Sequence, residues 1–123
     1  MKHHLELNNK AMNEENIQSC IDACVSCAIE CEHCATECLQ GKDVEMMALC
    51  IEIDRQCASV CRSAAELMSI GGEFSAILCS ACAEICDACA DECEKHDSKH
   101  CQDCAKECRA CADECRKMAE THV

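Results

Sequence analysis

Cys79-Ser-Ala-Cys82-Ala-Glu-Ile-Cys86-Asp-Ala-Cys89-Ala-Asp-Glu-Cys93 is echoed by Cys101-Gln-Asp-Cys104-Ala-Lys-Glu-Cys108-Arg-Ala-Cys111-Ala-Asp-Glu-Cys115 at an offset of 22 residues. In both, cysteine returns at steps of 3, 4, 3 and 4, the spacing of the inward-facing stripe of a helix in a bundle. Upstream, positions 20, 24, 27, 31, 34 and 38 repeat the alternation, and 50, 57 and 61 form a sparser version. Cys-Ala-x-x-Cys occurs seven times, from Cys27, Cys34, Cys57, Cys82, Cys89, Cys104 and Cys111, and Cys20…Cys24 makes an eighth pair. Cysteine takes the seats that leucine and isoleucine usually hold.

Outside the ladder the chain is poor in core formers. Leu, Ile, Val and Phe together number 19 of 123 residues, and the formal charge is −13. Such a balance ordinarily marks a disordered chain. Either the cysteines are the core or there is none. Turn signals are few: Gly41, the Gly71-Gly72 pair and His96-Asp97-Ser98, with no proline anywhere. The segments between them predict helices near 14–40, 43–70, 75–95 and 98–119, capped by Asn13, Asp43, Ser75 and Asp97 or Ser98. Short connections make neighbours antiparallel, so the expected fold is all-α: an up-down-up-down four-helix bundle with a cysteine-lined core over 13–120. Residues 1–12, with Leu5, Leu7 and Met12, read as an N-terminal arm or a short extra helix packed outside.

Composition sets limits on function. With 24 acidic against 11 basic residues and one aromatic, Phe74, the chain has neither the cationic surface nor the stacking rings that nucleic acid needs. No run approaches a membrane span, and the first ten residues hold no apolar export core. The expectation is a cytoplasmic protein, where thiols stay reduced.

Four readings of a thiol core compete. Cysteine can be a small hydrophobe, but 19 of them pack a bundle poorly and invite oxidation. Disulfides suit i,i+4 pairs badly, since their Cα–Cβ vectors run parallel, and the count is odd. Zinc or cadmium sites and iron–sulfur clusters want four converging ligands, whereas rigid seams offer pairs more naturally. Cu(I) is soft and accepts as few as two thiolates, so each i,i+4 pair can clasp one ion. Eight pairs would use 16 cysteines, with Cys50, Cys79 and Cys101 left to join neighbouring helices.

On these motifs the sequence resembles the cytosolic copper storage proteins, over about residues 14 to 120. The resemblance implies a homotetramer of bundles, each holding many Cu(I) ions on the ladder: Cys20, Cys24, Cys27, Cys31, Cys34, Cys38, Cys50, Cys57, Cys61, Cys79, Cys82, Cys86, Cys89, Cys93, Cys101, Cys104, Cys108, Cys111 and Cys115. The expectation is a binding protein without turnover, and the rigid seams predict an apo bundle that is already folded. The alternatives are a zinc or cadmium thiolate sink and a thiol–disulfide or metal-transfer enzyme. A lone Glu30-x-x-His33 lies off the seam and does not make a di-iron site.

Antiparallel threading gathers Cys38, Met46, Met47, Cys50, Cys93, His96, His100 and Cys101 at one end. There copper is expected to enter, with His96 and His100 as capture ligands. The other end gathers Ile17, Cys20, Met68, Phe74, Ile77, Leu78, Cys115 and Met118 as a greasy plug. Met68 and Met118 read as core filling rather than ligands. Asp54 falls in a cysteine seat, to accept a thiol hydrogen bond, serve as an occasional ligand or tilt out beside Arg55. Leu49, Ile53, Val60 and Leu67, with Ile21, Val25 and Ile29, form a second apolar stripe, for packing within the bundle or for a subunit interface.

Overall fold

Chains rich in alanine, glutamate and lysine and free of proline have little choice but helix. The computed structural model describes residues 2–121, with side chains from 14 to 120. It contains α1 (Lys2–Gln40), α2 (Ala48–Ile70), α3 (Ser75–Cys93) and α4 (Lys99–Thr121). At 1.5 Å per residue, α2 and α4 each run roughly 35 Å. Each helix packs on two neighbours, α1 and α3 both lying against α2 and α4. The helices are antiparallel in sequence, and thiols span the diagonals: Cys27 to Cys86 and Cys31 to Cys89 across α1/α3, and Cys61 to Cys111 across α2/α4, each at 4.0 Å.

Alanine sets that spacing. Ala28, Ala58, Ala64, Ala83, Ala90, Ala105 and Ala112 are all buried beside the thiols. A single methyl at these seats lets backbones approach closely enough for sulfurs to meet across the middle. The buried set is almost wholly cysteine and alanine, with Met68 and Met118 at one end.

Helix starts differ from expectation. α1 begins at Lys2, so Asn13 lies inside it rather than capping it. The expectation of an arm or outer helix carrying Leu5, Leu7 and Met12 lies outside the described side chains. Met47 precedes α2 and Phe74 precedes α3, neither with a side-chain cap. Asp43 contributes its carbonyl instead, accepting from Met47 N–H at 3.2 Å and winding 43–47 into a turn ahead of α2. Ser75 Oγ donates to the Leu67 carbonyl at 3.2 Å, which also accepts the Gly71 N–H at 2.9 Å. These two hydrogen bonds to one carbonyl tie the α2–α3 corner. Gly71 and Gly72 turn it at φ +88° and +110°, a region side chains rarely adopt.

The surface carries the charge. Arg109 of α4 reaches Asp91 of α3 at 2.6 Å and Glu94, just past its end, at 2.8 Å, and Arg116 reaches Asp87 at 2.6 Å. Arg55 and Arg62 of α2 both bind Glu32 of α1, at 2.9 and 3.3 Å. Exposed pairs of this kind are individually worth little, but they spend scarce cations on helix seams in an acidic chain.

Candidate metal centre

All 19 cysteines are buried and none is in a disulfide. Their sulfurs line the bundle axis in a series of touching groups. Near the α2–α3 corner, Cys115 meets Cys20 at 3.8 Å and Cys24 at 3.6 Å, and Cys24 meets Cys111 at 3.7 Å. Next inward, Cys61 touches Cys82 at 3.6 Å and Cys86 at 3.7 Å, while Cys57 touches Cys86 at 3.6 Å. The middle is held by Cys27, Cys31, Cys104 and Cys108, with Cys31 3.7 Å from Cys108 and 3.8 Å from Cys104. Towards the other end Cys50 lies 3.7 Å from Cys93, and Cys101 lies 3.9 Å from Cys34 and 4.0 Å from Cys38.

The i,i+4 pairs Cys27/Cys31, Cys57/Cys61, Cys82/Cys86 and Cys104/Cys108 close to 3.8–4.0 Å. Contacts between helices are as short or shorter. Sequence spacing favoured pairs over tetrads, yet four-thiol groups are present. Cys24, Cys82, Cys111 and Cys115 form one, Cys27, Cys57, Cys61 and Cys86 another, and Cys34, Cys38, Cys50 and Cys101 a third, each within 4.8 Å. Geometry alone therefore does not reject a tetrahedral ion. The groups overlap, however. Cys27 and Cys57 also belong with Cys31 and Cys108, and Cys31 and Cys108 belong again with Cys89 and Cys104. Four groups that share no cysteine would seat four tetrahedral ions on 16 of the 19 thiols, whereas low-coordinate ions that share sulfurs fit more ions on the same thiols.

The bare core resists ionisation. Hydrogen bonds from Cys108 and other thiols hold Cys104 and Cys57 below the ordinary thiol range, and bonds from Cys115 and Cys24 do the same for Cys111. Their donors are driven the other way: Cys31 by Cys104, and Cys61 and Cys115 by Cys111. One thiolate is tolerated because its neighbours donate to it, and the next charge in so dry a space is opposed. A monovalent cation that replaces each proton removes that opposition.

Asp54 interrupts the lattice. It is fully buried. Its Oδ1 accepts from Cys89 at 3.1 Å, Cys104 at 3.5 Å and Cys93 at 3.6 Å, and its Oδ2 from Cys50 at 3.9 Å. Burial, reinforced by the Cys104 charge, pushes its carboxyl up to about 8. Of the roles expected for Asp54, the structure shows the thiol hydrogen bond and not the outward tilt; Arg55 is engaged with Glu32 instead.

The two ends differ as the residue types suggested, with changes in membership. At one, Cys38, Met46, Met47, His96 and His100 line a recess between the α1–α2 and α3–α4 loops. His100 Nε2 lies 3.4 Å from Cys38 Sγ, and burial holds the Cys38 and Cys101 thiols above their ordinary value. His96 is occupied differently: its Nε2 lies 2.9 Å from Oε2 of buried Glu92, whose other oxygen accepts from Lys95 at 3.3 Å. Sequence reasoning passed over Glu92, one residue ahead of the Cys93 seam, although its i,i+4 relation to His96 was readable. Met46 is exposed and Met47 packs on the core edge. At the opposite end Met68 and Met118 are buried and Ile17 and Leu78 pack against them, but Phe74 and Ile77 are more than 60% exposed and take no part in the plug. Of the second stripe, Ile21, Ile53 and Val60 pack against the core, while Val25, Ile29 and Leu49 are exposed. His33 is on the surface, 3.9 Å from Glu37. Among the described residues, no helix is long and apolar enough to cross a membrane.

Residues 13–120 match the sequence model of a family described as copper storage protein. Among solved structures, the apo form of copper storage protein 3 from Bacillus subtilis is 46% identical, covering 83% of this chain and 97% of that one, with a TM-score of 0.76. The Cu(I)-bound copper storage protein BsCsp3 is 44% identical over 85% of this chain and 98% of its own, with a TM-score of 0.81. A cytosolic copper storage protein from Streptomyces lividans, in a form with five coppers, is 34% identical over 89% and 97%, with a TM-score of 0.87. No curated protein matches the chain.

Proposed function

The chain belongs to the copper storage protein family, and from that premise we propose that it is a non-catalytic cytosolic store. It holds many Cu(I) ions on thiolates inside a bundle that is folded before the metal arrives. One observation carries the reading: all 19 cysteines are reduced and buried in one core, where they gather into several four-thiol ligand groups. The ligands are the ladder cysteines from Cys20 to Cys115. Each ion that replaces a thiol proton leaves the net charge of the core unchanged, so filling can continue where bare ionisation would stop. His100, against Cys38, and His96, held by Glu92, receive ions at the recess and pass them to Cys38, Cys50, Cys93 and Cys101. The exposed Val25, Ile29 and Leu49 seat a second subunit in a homotetramer, supplying the burial that a thiol core lacks.

The deciding experiment is an anaerobic Cu(I) titration of the reduced protein against a competing chelator, with far-UV circular dichroism of the apoprotein. More than ten tightly held ions per chain and a helical apo spectrum are expected. Saturation at one to four ions would favour a transfer protein or enzyme, and a coil spectrum would refute the preformed bundle. A zinc or cadmium sink predicts the reverse preference: zinc retained from a medium supplied with both metals, at no more than four ions, one for each exclusive thiol tetrad.

A further inference from the structure

The seam of α2 reads Cys50, Asp54, Cys57, Cys61, then alanine, then Met68. At its last turn the three other helices bring Cys20, Cys79 and Cys115 to the same end of the core. Cys20 lies 3.8 Å from Cys115 there. Met68 fills the fourth side, 5% exposed, with Sδ 3.6 Å from Cys79 Sγ. Cys79 also lacks what most ladder cysteines have. Four residues on stands Ala83, and four residues back stands Ser75, so no i,i+4 thiol pairs with it. The other two unpaired cysteines find thiols on neighbouring helices, Cys50 at Cys93 and Cys101 at Cys34 and Cys38. The sulfur that closes on Cys79 is a thioether.

We propose that Met68 is a metal ligand, its Sδ and the Cys79 thiolate forming a mixed thioether–thiolate Cu(I) site that ends the lattice at the closed end. The assignment rests on the copper-storage reading. Thioether sulfur is as soft as the ion requires and brings no charge. In the apo state Cys79 S–H donates to Met68 Sδ; on binding, that proton leaves to solvent, Cu(I) forms bonds to both sulfurs, and no electron is transferred. A two-thiolate site here would carry one negative charge beside the apolar plug of Ile17, Leu78 and Met118, whereas one thiolate and one thioether make a neutral site. Leucine would fill the seat as bulk with better-defined rotamers; methionine fills it with a donor atom.

The test uses reduced protein labelled with 13C-methyl methionine, loaded anaerobically with Cu(I) alone. The Met68 methyl resonance is assigned by its loss in Met68→Leu, a volume-conserving change. On loading to saturation this resonance is expected to move in the wild type and to keep its apo position in Cys79→Ser. Met68→Leu, shown helical by circular dichroism, is expected to hold about one ion fewer. A methyl that does not move, one that moves equally in Cys79→Ser, or an undiminished capacity in Met68→Leu would each overturn the site. Failure of the storage reading looks different, because the wild type itself would then saturate at a few ions.

Discussion

The imidazole Nε2 of His100 lies 3.4 Å from the sulfur of Cys38, which places the ring against the outermost thiol of α1. Removing the ring from that position should slow uptake without emptying the store. His100→Ala is expected to load Cu(I) from a chelated donor about tenfold more slowly, the equivalent of about 1.4 kcal/mol in the barrier, while final capacity falls by no more than one ion. His96→Ala should slow loading less, since its Nε2 is taken by Glu92. Stopped-flow mixing with a chromophoric Cu(I) chelate measures both, and unchanged rates in both variants would remove the histidines from the path.

Asp54 makes the stability of the reduced apoprotein depend on pH. Its carboxyl is raised from 3.8 to about 8 in the folded state, so between those values the native chain binds a proton that the unfolded chain has lost. The contribution is therefore fully present below about pH 3.8 and is lost as pH rises towards about 8, with a slope approaching 1.4 kcal/mol per unit. Denaturant melts at several pH values should show this slope in the wild type and a flatter one in Asp54→Asn. Parallel slopes would mean that the carboxyl is ionised in the native core.

The same seat offers a gain of function. Cysteine at position 54 would stand among Cys50, Cys89, Cys93 and Cys104, all of which already reach the aspartate oxygens. Asp54→Cys should bind about one Cu(I) more than the wild type in a titration to saturation, and an unchanged endpoint would show that a thiol there is not shared with its neighbours.

Ile29 is 65% exposed beside Val25 on the surface of α1. Ile29→Glu should separate the proposed homotetramer into chains of 13.5 kDa that remain helical and retain copper capacity. Light scattering after size exclusion would register a fourfold fall in mass; a variant that stays assembled would place the subunit contact elsewhere.

At the α2–α3 corner Gly71 combines φ +88° with ψ 175°, a conformation almost confined to glycine. Gly71→Ala should cost about 1–3 kcal/mol through the backbone alone, because open space surrounds the position where a Cβ would stand. A lowered melting temperature with normal Cu(I) capacity is the expected result.

The seams were legible because one residue type marks almost every inward seat, so periodicity and chemistry coincide from Cys20 to Cys115. Asp54 was placed in a seat by the same arithmetic, but its four donors come from α2, α3 and α4, and no spacing within a single helix foretells them. The tetrads were missed for a related reason. Distances between helices follow from the alanines that let backbones approach, and a reading made one helix at a time counts only i,i+4 pairs. Cap chemistry misled at Asp43 and Ser75, where a backbone carbonyl and a bond to Leu67 replaced the expected side-chain caps. Ile77, two residues before Cys79, points away from the core on helical geometry alone, so its exposure could have been anticipated.

Among the described residues, histidine and thiol meet at only one end of the tube, while Met68, Met118, Ile17 and Leu78 close the other. With copper leaving by the histidine end, as proposed, the vessel has a single outlet and drains at a pace fixed by it. As long as neighbouring sulfurs refill the Cys38 position, the current of copper leaving the bundle is the same whether the tube is nearly full or half spent. The bundle then meets demand as a constant-current source, and its inventory sets the duration of supply rather than its strength.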